Sequence, residues 1–206
     1  MGNSDILRNF LQNVRTTSWL EWVSTAAQIL SVWYARKNDV RVYPTGIIGV
    51  LLASYLYFFS IHPPLYADGT LNLYYFIMSI YGWYNWLQKK DADHLAFPIR
   101  WCARRERVAG LVLFAGVWLV LWAVLDRLTN SNTPVLDSLV SASAVTAMWW
   151  MATRKIENWL AWIFSNVVAI PLNYYKGLML FTLMYLLFLI LAVWGYIDWK
   201  KQVQKG

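Results

Sequence analysis

The chain has 206 residues, of which 59% are apolar and only 14% are charged, and its mean hydropathy is +0.38. A soluble domain has about 45–50% apolar and about 25% charged residues, so the surplus apolar surface is expected to face lipid. The single cysteine, Cys102, excludes an internal disulfide and a cysteine-based metal site. The net charge of +7 could suit nucleic acid, but its distribution, described below, favours a membrane.

The first 18 residues are mostly polar, with apolar side chains recurring at helical spacing, as at Ile6, Phe10 and Val14. This pattern predicts a short amphipathic helix at the membrane interface, and no removable signal peptide is expected. Because a span needs about 20 mostly apolar residues, the rest of the chain has room for seven spans with short loops. The candidate spans are Trp19–Ala35, Tyr43–Ser60, Leu71–Trp86, Ala109–Leu125, Val135–Thr153, Trp159–Tyr175 and Leu178–Gly195.

The distribution of positive charge predicts the orientation of this all-α membrane protein. With seven spans, 14 of the 18 Lys and Arg residues lie in the loops after the first, third and fifth spans and at the C-terminus. The positive-inside rule then places the C-terminus in the cytoplasm and the N-terminus on the other side of the membrane. Six or eight spans would scramble this division, so the asymmetry supports the odd number.

The sequence also contains an internal duplication. A shift of 116 residues carries Tyr43 onto Trp159, and after a three-residue slip 81–86 aligns with 194–199. Both six-residue segments read aromatic-Gly-aromatic-x-Asn/Asp-Trp, a match that is hard to obtain by chance in apolar sequence. The predicted architecture is therefore two three-helix repeats joined by one linker helix (3+1+3).

The linker helix returns the chain to its starting side, so the two repeats must be parallel. One known class of transporters has parallel repeats and holds its substrate near the midplane between them. A passive assembly protein could also carry such a duplication.

The duplication divides the chain into five predicted parts. They are an amphipathic segment 1–18, a first repeat 19–86, a basic loop and linker helix 87–134, a second repeat 135–199 and a basic tail 200–206.

The sixth span carries the clearest candidate binding site. Trp162, Asn166 and Asn173 share one helical face, with the helix-distorting Pro171 between the two amides. An amide in hydrocarbon is costly unless it is paired, so these side chains are expected to face either a neighbouring helix or a ligand cavity. The remaining candidate binding residues are Asn72, Tyr75, Ser79 and Trp83 in the third span and Gln28 in the first. For them, interhelical hydrogen bonding or anchoring at the membrane interface is the alternative to ligand binding.

The residues that are missing narrow the mode of action. No Lys, Arg, Asp or Glu lies in the middle of a proposed span, which disfavours proton coupling, and no GxxxxGK[ST] loop indicates ATP use. His62 and His94 fall on loops at opposite sides of the membrane, so no metal site is predicted. No nucleophile–base pair is visible either, so no catalytic residue or cofactor is predicted. The simplest remaining activity is facilitated diffusion of a planar, hydroxylated or cationic solute that stacks on aromatic rings.

The chain resembles the bacterial nicotinamide riboside transporter family (PnuC). The resemblance rests on Tyr43–Ile47, on Leu65–Asp68 running to Trp83, and on Trp162 through Lys176-Gly177-Leu178 to Trp199. It implies a fold like two joined SWEET-type units, a location in the bacterial inner membrane with the N-terminus in the periplasm, facilitated diffusion of nicotinamide riboside, a homotrimer, and trapping of the substrate by a cytoplasmic kinase. Relatives that carry thiamine or riboflavin make those vitamins the alternative substrates, and a non-transporting assembly protein is the third hypothesis.

Overall fold

The computed structural model describes residues 17–60, 66–89, 96–129 and 131–205. The predicted amphipathic segment 1–18 lies almost entirely outside these residues. The described part of the chain forms seven α-helices, and the second ends in a π-helical stretch, Leu56–Ser60. The helices are α1 (Trp19–Arg36), α2 (Val42–Tyr55), α3 (Tyr66–Leu87), α4 (Arg104–Leu128), α5 (Pro134–Ala152), α6 (Glu157–Tyr175) and α7 (Met179–Lys205).

Local chemistry explains several of these boundaries. The hydroxyl of Ser18 caps α1 by accepting a hydrogen bond from the backbone N–H of Glu21 at 3.2 Å. At the start of α4, the carboxylate of Glu106 accepts the backbone N–H of Ala103 at 2.8 Å. Helix α5 begins with Pro134, which suits the first turn because an N–H there has no partner within the helix.

The seven predicted spans correspond to seven helices in the described residues, and four of these are long and apolar enough to cross a membrane. Helices α1, α3 and α6 are the ones outside that set, and they are also the helices that carry the predicted site residues. Their tryptophan, tyrosine and amide side chains lower the hydropathy of an otherwise apolar helix. The four spanning candidates are Val42–Ser60, Arg104–Leu128, Pro134–Ala152 and Met179–Gln204.

The helices pack as two groups with one helix outside them. Helix α2 packs between α1 and α3, and α6 packs between α5 and α7. The groups meet where α3 packs against α5 and where α1 packs against α7. Helix α4 packs on α5, where the ring of Trp150 lies so close to Gly110 that a Cβ at that position would overlap it. Most of the remaining surface of α4 is exposed, as expected of a helix that faces lipid.

The largest buried cluster lies at the basic end of the bundle, defined as the end where α1, α3 and α5 finish and the basic side chains Arg36, Lys37 and Arg41 lie. At the opposite end, large aromatic side chains such as Phe59, Tyr66 and Tyr175 are exposed. The two groups of helices are therefore tightly joined at the basic end. The cluster comprises Ala35, Val42, Tyr43, Trp86, Met151, Ile156, Trp159, Ala192 and Trp199.

Helix α7 continues beyond the predicted end at Gly195 to Lys205, so most of the predicted basic tail is helical. The turns after α1 and α5 each place one residue in the left-handed backbone region: Asn38 has a φ of 55° and Arg154 a φ of 54°. Both turns lie at the basic end, against the buried cluster.

Candidate functional site

An aromatic pair bridges the two groups of helices. The rings of Tyr75 in α3 and Trp162 in α6 have centroids 6.3 Å apart and planes inclined at 54°. The indole Nε1 of Trp162 is buried and has no hydrogen-bond partner among the described residues. Leaving a buried donor unpaired costs about 1–3 kcal/mol, so this group is a natural contact for a ligand or for bound water.

Asn166 follows Trp162 by one helical turn and is also unpaired. It is only 3% exposed, and its amide makes no hydrogen bond within the described ranges of the chain. A buried primary amide offers two donors and one acceptor oxygen. Trp162 and Asn166 together therefore combine an aromatic face with unused hydrogen-bonding capacity, the combination typical of a small-molecule site.

An adjacent face of α6 is held against α5 by hydrogen bonds, which constrains where Trp162 and Asn166 point. The hydroxyl of Ser165 donates to the carbonyl of Val140 at 3.1 Å, and that of Ser143 donates to the carbonyl of Ala161 at 2.7 Å. In the same way, the hydroxyl of Tyr74 donates to the carbonyl of Val145 at 2.9 Å and joins α3 to α5. The neighbouring Tyr75 is then left to face Trp162.

Two further residues, Tyr185 and Asp68, lie near Tyr75, and Tyr57 lies near both of them. Tyr57, in the π-helical stretch after α2, and Tyr185 in α7 both interact electrostatically with Asp68 in the first turn of α3. Tyr75 interacts with both Tyr185 and Asp68. Sequence reasoning missed these three residues, although Tyr185 is the only hydrogen-bonding side chain between Thr182 and Trp194. A lone polar group in an apolar run was the available signal.

Several predicted residues lie away from this pair or bond within their own helix. The amide of Asn72 donates to the carbonyl of Asp68 at 2.9 Å, and that of Asn173 donates to the carbonyl of Ala169 at 2.8 Å. Trp83 is 36% exposed, and among the described residues its ring makes no aromatic contact with the pair. Each amide thus uses one N–H within its own helix and keeps its oxygen, so a role for these three residues in binding stays a prediction.

Gln28 and Ser79 lie within the packing of the first group. The amide of Gln28 donates to the hydroxyl of Ser24 at 3.2 Å, and its side chain packs against Gly49 of α2. The hydroxyl of Ser79 is buried and lies 3.9 Å from where a Cβ on Gly46 would be. Both contacts join helices of one group, which is the interhelical role that was the alternative for these residues.

A hollow of about 570 Å³ lies at the end opposite to the basic end. Its wall includes Asp137, whose carboxylate accepts hydrogen bonds from Ser131 at 2.9 Å and Thr133 at 3.0 Å and pairs with Lys176 at 2.5 Å. None of the predicted site residues lines this hollow, so it is separate from the aromatic pair. His62 and His94 lie outside the described residues, and the expected absence of a metal site stays a prediction.

The comparison with protein families decides the class of the protein. The family described as nicotinamide mononucleotide transporter matches residues 18–201, nearly the whole chain. The chain belongs to this family. The family consists of membrane transporters and not of enzymes, so the protein is a transporter with several membrane-spanning helices.

Individual relatives give the same result. The chain is 28% identical to the nicotinamide riboside transporter PnuC of Escherichia coli, over 88% of this chain and 85% of the relative. It is 30% identical to the nicotinamide riboside transporter PnuC of Neisseria mucosa, over 91% of this chain and 74% of the relative. These matches confirm the resemblance to PnuC that the sequence motifs indicated.

Two further comparisons bear on fold and substrate. A structure described as the crystal structure of the vitamin B3 transporter PnuC matches with a TM-score of 0.72 and 26% identity, covering 97% of this chain and 88% of that one. The riboflavin/roseoflavin transporter RibM of Streptomyces davaonensis is 23% identical over 88% of this chain and 84% of the relative. The relatives of this chain are therefore named for more than one vitamin.

Proposed function

We propose that this protein is a uniporter for nicotinamide riboside, with the substrate bound between the two groups of helices at Tyr75, Trp162 and Asn166. The observation that carries the proposal is the unpaired, buried indole N–H of Trp162, one helical turn from the buried Asn166, whose amide makes no hydrogen bond among the described residues. A cationic pyridinium ring within about 6 Å of aromatic faces gains cation–π attraction. The amide of Asn166 would then bond the carboxamide or the ribose hydroxyls.

The charges of the two helices favour the riboside over the mononucleotide. A phosphate group is normally bound by Arg or Lys side chains or by helix N-termini. Neither α3 nor α6 contains a Lys or Arg residue, and the charged side chain near Tyr75 is the acidic Asp68. Such surroundings suit a cation and repel a dianionic phosphate. Two relatives that carry the name nicotinamide riboside transporter support the same choice.

The proposal includes the 3+1+3 arrangement, with α1–α3 and α5–α7 as parallel repeats and α4 as the linker. Reciprocal contacts support it, because the first helix of each group packs on the third helix of the other. A pseudo-twofold axis normal to the membrane would produce this pattern and would leave a central site near the midplane. The basic end would face the cytoplasm, with the N-terminus outside.

Downhill transport is the mode that we propose. The sequence has no Lys, Arg, Asp or Glu residue in the middle of a predicted span that could serve as a proton relay, so a solute gradient is the simplest driving force. A uniporter cannot concentrate its solute, and net uptake then depends on a cytoplasmic kinase that converts the riboside into a phosphorylated product. We also propose a homotrimer, on the family resemblance and on the extensive exposed surface of α4.

Uptake of labelled nicotinamide riboside into proteoliposomes, with and without a proton or sodium gradient, tests this proposal. Uptake should reach the external concentration and no more, and Trp162→Ala and Asn166→Ala should each reduce substrate affinity at least tenfold. Trp83→Ala, a substitution at an exposed residue of α3, is the matched control and should leave affinity unchanged. Accumulation above equilibrium would overturn uniport, and unchanged affinity in both site variants would overturn the site.

Riboflavin is the second candidate substrate, because RibM is among the relatives of this chain. Competition by nicotinamide riboside, nicotinamide mononucleotide, riboflavin and thiamine for one purified preparation separates the candidates. Our proposal predicts that the riboside competes most strongly. Stronger competition by riboflavin would transfer the assignment to that vitamin while leaving the aromatic site in place.

A further inference from the structure

Two tryptophans join the two groups of helices at the basic end. The indole N–H of Trp86, near the end of α3, donates to the carbonyl of Met151 in α5 at 3.2 Å. The indole N–H of Trp199 in α7 donates to the carbonyl of Ala35 in α1 at 3.0 Å. Both rings are almost fully buried, at 2% and 0% exposure, and their centroids are 5.9 Å apart. Each bond crosses from one group to the other.

Residues next to the tryptophans repeat this cross-linking. Asn85 donates from its amide to the carbonyl of Ala152 at 3.2 Å, and Arg36 donates from Nε to the carboxylate of Asp198 at 2.5 Å. Met151 and Ala152 lie 116 residues after Ala35 and Arg36, so equivalent helix ends receive equivalent partners. These bonds, which close the basic end by joining the two groups of helices, are therefore nearly symmetric.

Aromatic packing supports each tryptophan from within its own group. The ring of Tyr43 meets that of Trp86 edge-on at 5.1 Å, and the ring of Trp159 meets that of Trp199 edge-on at 5.5 Å. Trp159 precedes Trp162 by three residues in α6, and Trp162 packs against the same buried cluster. The proposed solute site thus lies directly beside this closure, so movement of the cluster would reach it.

Beneath the tryptophans, a buried arginine crosses the region where the repeats meet. Arg154 is 4% exposed, and its guanidinium lies 4.2 Å from the centre of the Trp86 ring. Its Nε donates to the side-chain carbonyl of Asn38 at 3.0 Å, and its NH1 donates to the backbone carbonyl of Phe97 at 2.9 Å. Among the described residues no carboxylate pairs with it, and burial lowers the pKa of Arg154 to about 10.

A buried cation held by neutral acceptors alone is a costly arrangement, because those acceptors replace water incompletely. Opening the basic end would rehydrate Arg154 and recover part of that cost. This opposes the stabilisation from the tryptophan bonds and brings the closed and open arrangements closer in free energy. Such balance is what a structure that alternates between two states requires.

We infer that Trp86 and Trp199 are the gating residues of the basic end and that the hydrogen bond from Arg154 to Asn38 stabilises the closed state by offsetting part of the cost of burying Arg154. A solute at Trp162 leaves toward the basic end only after both indole bonds to Met151 and Ala35 have broken. The inference extends the proposed function, since it requires a central path, but it does not depend on which solute uses that path.

Cysteine accessibility tests the gate without any solute present. In a Cys102→Ser background, Asn166→Cys places a thiol in the buried site, and a separate reporter at the exposed Lys201 identifies vesicles whose outer face carries the basic end. A membrane-impermeant maleimide should label the site slowly from that face. Trp86→Phe and Trp199→Phe keep an aromatic ring but remove the indole N–H, and each should raise the labelling rate about tenfold, corresponding to one lost hydrogen bond.

Matched controls separate gating from loosening of the fold. Trp83→Phe changes an exposed tryptophan of α3 and should leave the labelling rate unchanged. Asn38→Gly keeps the left-handed turn, removes the acceptor of Arg154 and should raise the rate without touching the aromatic cluster. Unchanged labelling in both Trp→Phe variants and in Asn38→Gly would overturn the gate. Because no solute is added, failure of nicotinamide riboside to bind would leave this result unaffected.

Discussion

Asn38 and Arg154 lie 116 residues apart in the sequence, adopt the same left-handed backbone conformation and are hydrogen-bonded to each other at 3.0 Å. Each residue ends the turn after the first helix of its group, and in both turns the backbone N–H of this residue donates to a carbonyl three residues earlier at 2.9 Å. Two equivalent turns that meet in this way lie close to any axis relating the two groups.

The left-handed turn at Asn38 predicts a specific order of stability. A β-branched residue there costs about 1–2 kcal/mol in backbone strain, whereas glycine adopts a positive φ freely. Asn38→Val and Asn38→Gly both remove the acceptor of Arg154, so their difference isolates the backbone contribution. In detergent we expect Asn38→Val to unfold several degrees below Asn38→Gly, measured by thermal unfolding. Equal melting temperatures would contradict the left-handed conformation.

Close helix contacts predict different outcomes for three glycine substitutions. A Cβ at Gly82 would overlap the ring of Tyr43, and one at Gly195 would overlap the ring of Trp159. Gly82→Ala and Gly195→Ala should therefore each destabilise the protein by about 1–3 kcal/mol. Nothing lies within 4 Å of a Cβ at Gly116 in α4, so Gly116→Ala should be neutral or stabilising by up to about 1 kcal/mol. Melting temperatures of the three variants provide the measurement.

Trp162→Phe should separate binding from stability. The substitution keeps an aromatic ring but removes a buried N–H that has no partner among the described residues. Without ligand, the melting temperature should stay the same or rise, because an unsatisfied donor has been removed. Affinity for nicotinamide riboside should fall about tenfold, since a hydrogen bond made only with ligand is lost. Calorimetric titration measures the second effect, and unchanged affinity would show that the indole N–H does not contact the substrate.

Cys102 provides a test of the loop before α4. The residue is 5% exposed, and burial, together with the nearby carboxylate of Glu157, raises the pKa of its thiol to about 12. The backbone N–H of Cys102 donates to both oxygens of that carboxylate, at 2.9 and 3.0 Å. Iodoacetamide should therefore modify the folded protein very slowly at pH 8–9, where an unfolded chain reacts readily.

The same pKa shift has a consequence for stability. A thiol whose pKa is raised on folding favours the neutral form, so its contribution to stability is unaffected below the unfolded pKa of 9.0 and declines as the pH rises toward about 12. Cys102→Ser should remove this part of the alkaline destabilisation. Fast alkylation of the native protein at pH 8 would contradict the buried position of the thiol.

Sequence reasoning predicted the helices well because their apolar runs are long and their loops carry strong breaking residues. It also matched Tyr43 with Trp159 and Gly82 with Gly195, and the structure places each aromatic ring against the glycine of its own group. These features are encoded locally, as composition and spacing. The 3+1+3 arrangement and the orientation in the membrane stay predictions.

The candidate site stays a prediction, and the structure adds contacts that the spacing of residues could not supply. Spacing placed Trp162 and Asn166 on one face of α6, but it could not show that Asn72 and Asn173 donate to carbonyls of their own helices. At a given position in the sequence, an amide can bond either to a carbonyl of its own helix or to a ligand. Tyr185 was missed because its relation to Tyr75 and Asp68 arises only when α7 and α3 are brought together.

The acceptors of the two indole bonds at the basic end are backbone carbonyls, those of Met151 and Ala35. Every amino acid presents the same carbonyl, so replacing the side chain at either position leaves an acceptor in place. Selection on this contact would therefore act on Trp86 and Trp199 alone and would produce no correlated substitutions at the positions that they bond. Methods that infer contacts from co-varying residues would overlook this closure, although it joins the two halves of the protein.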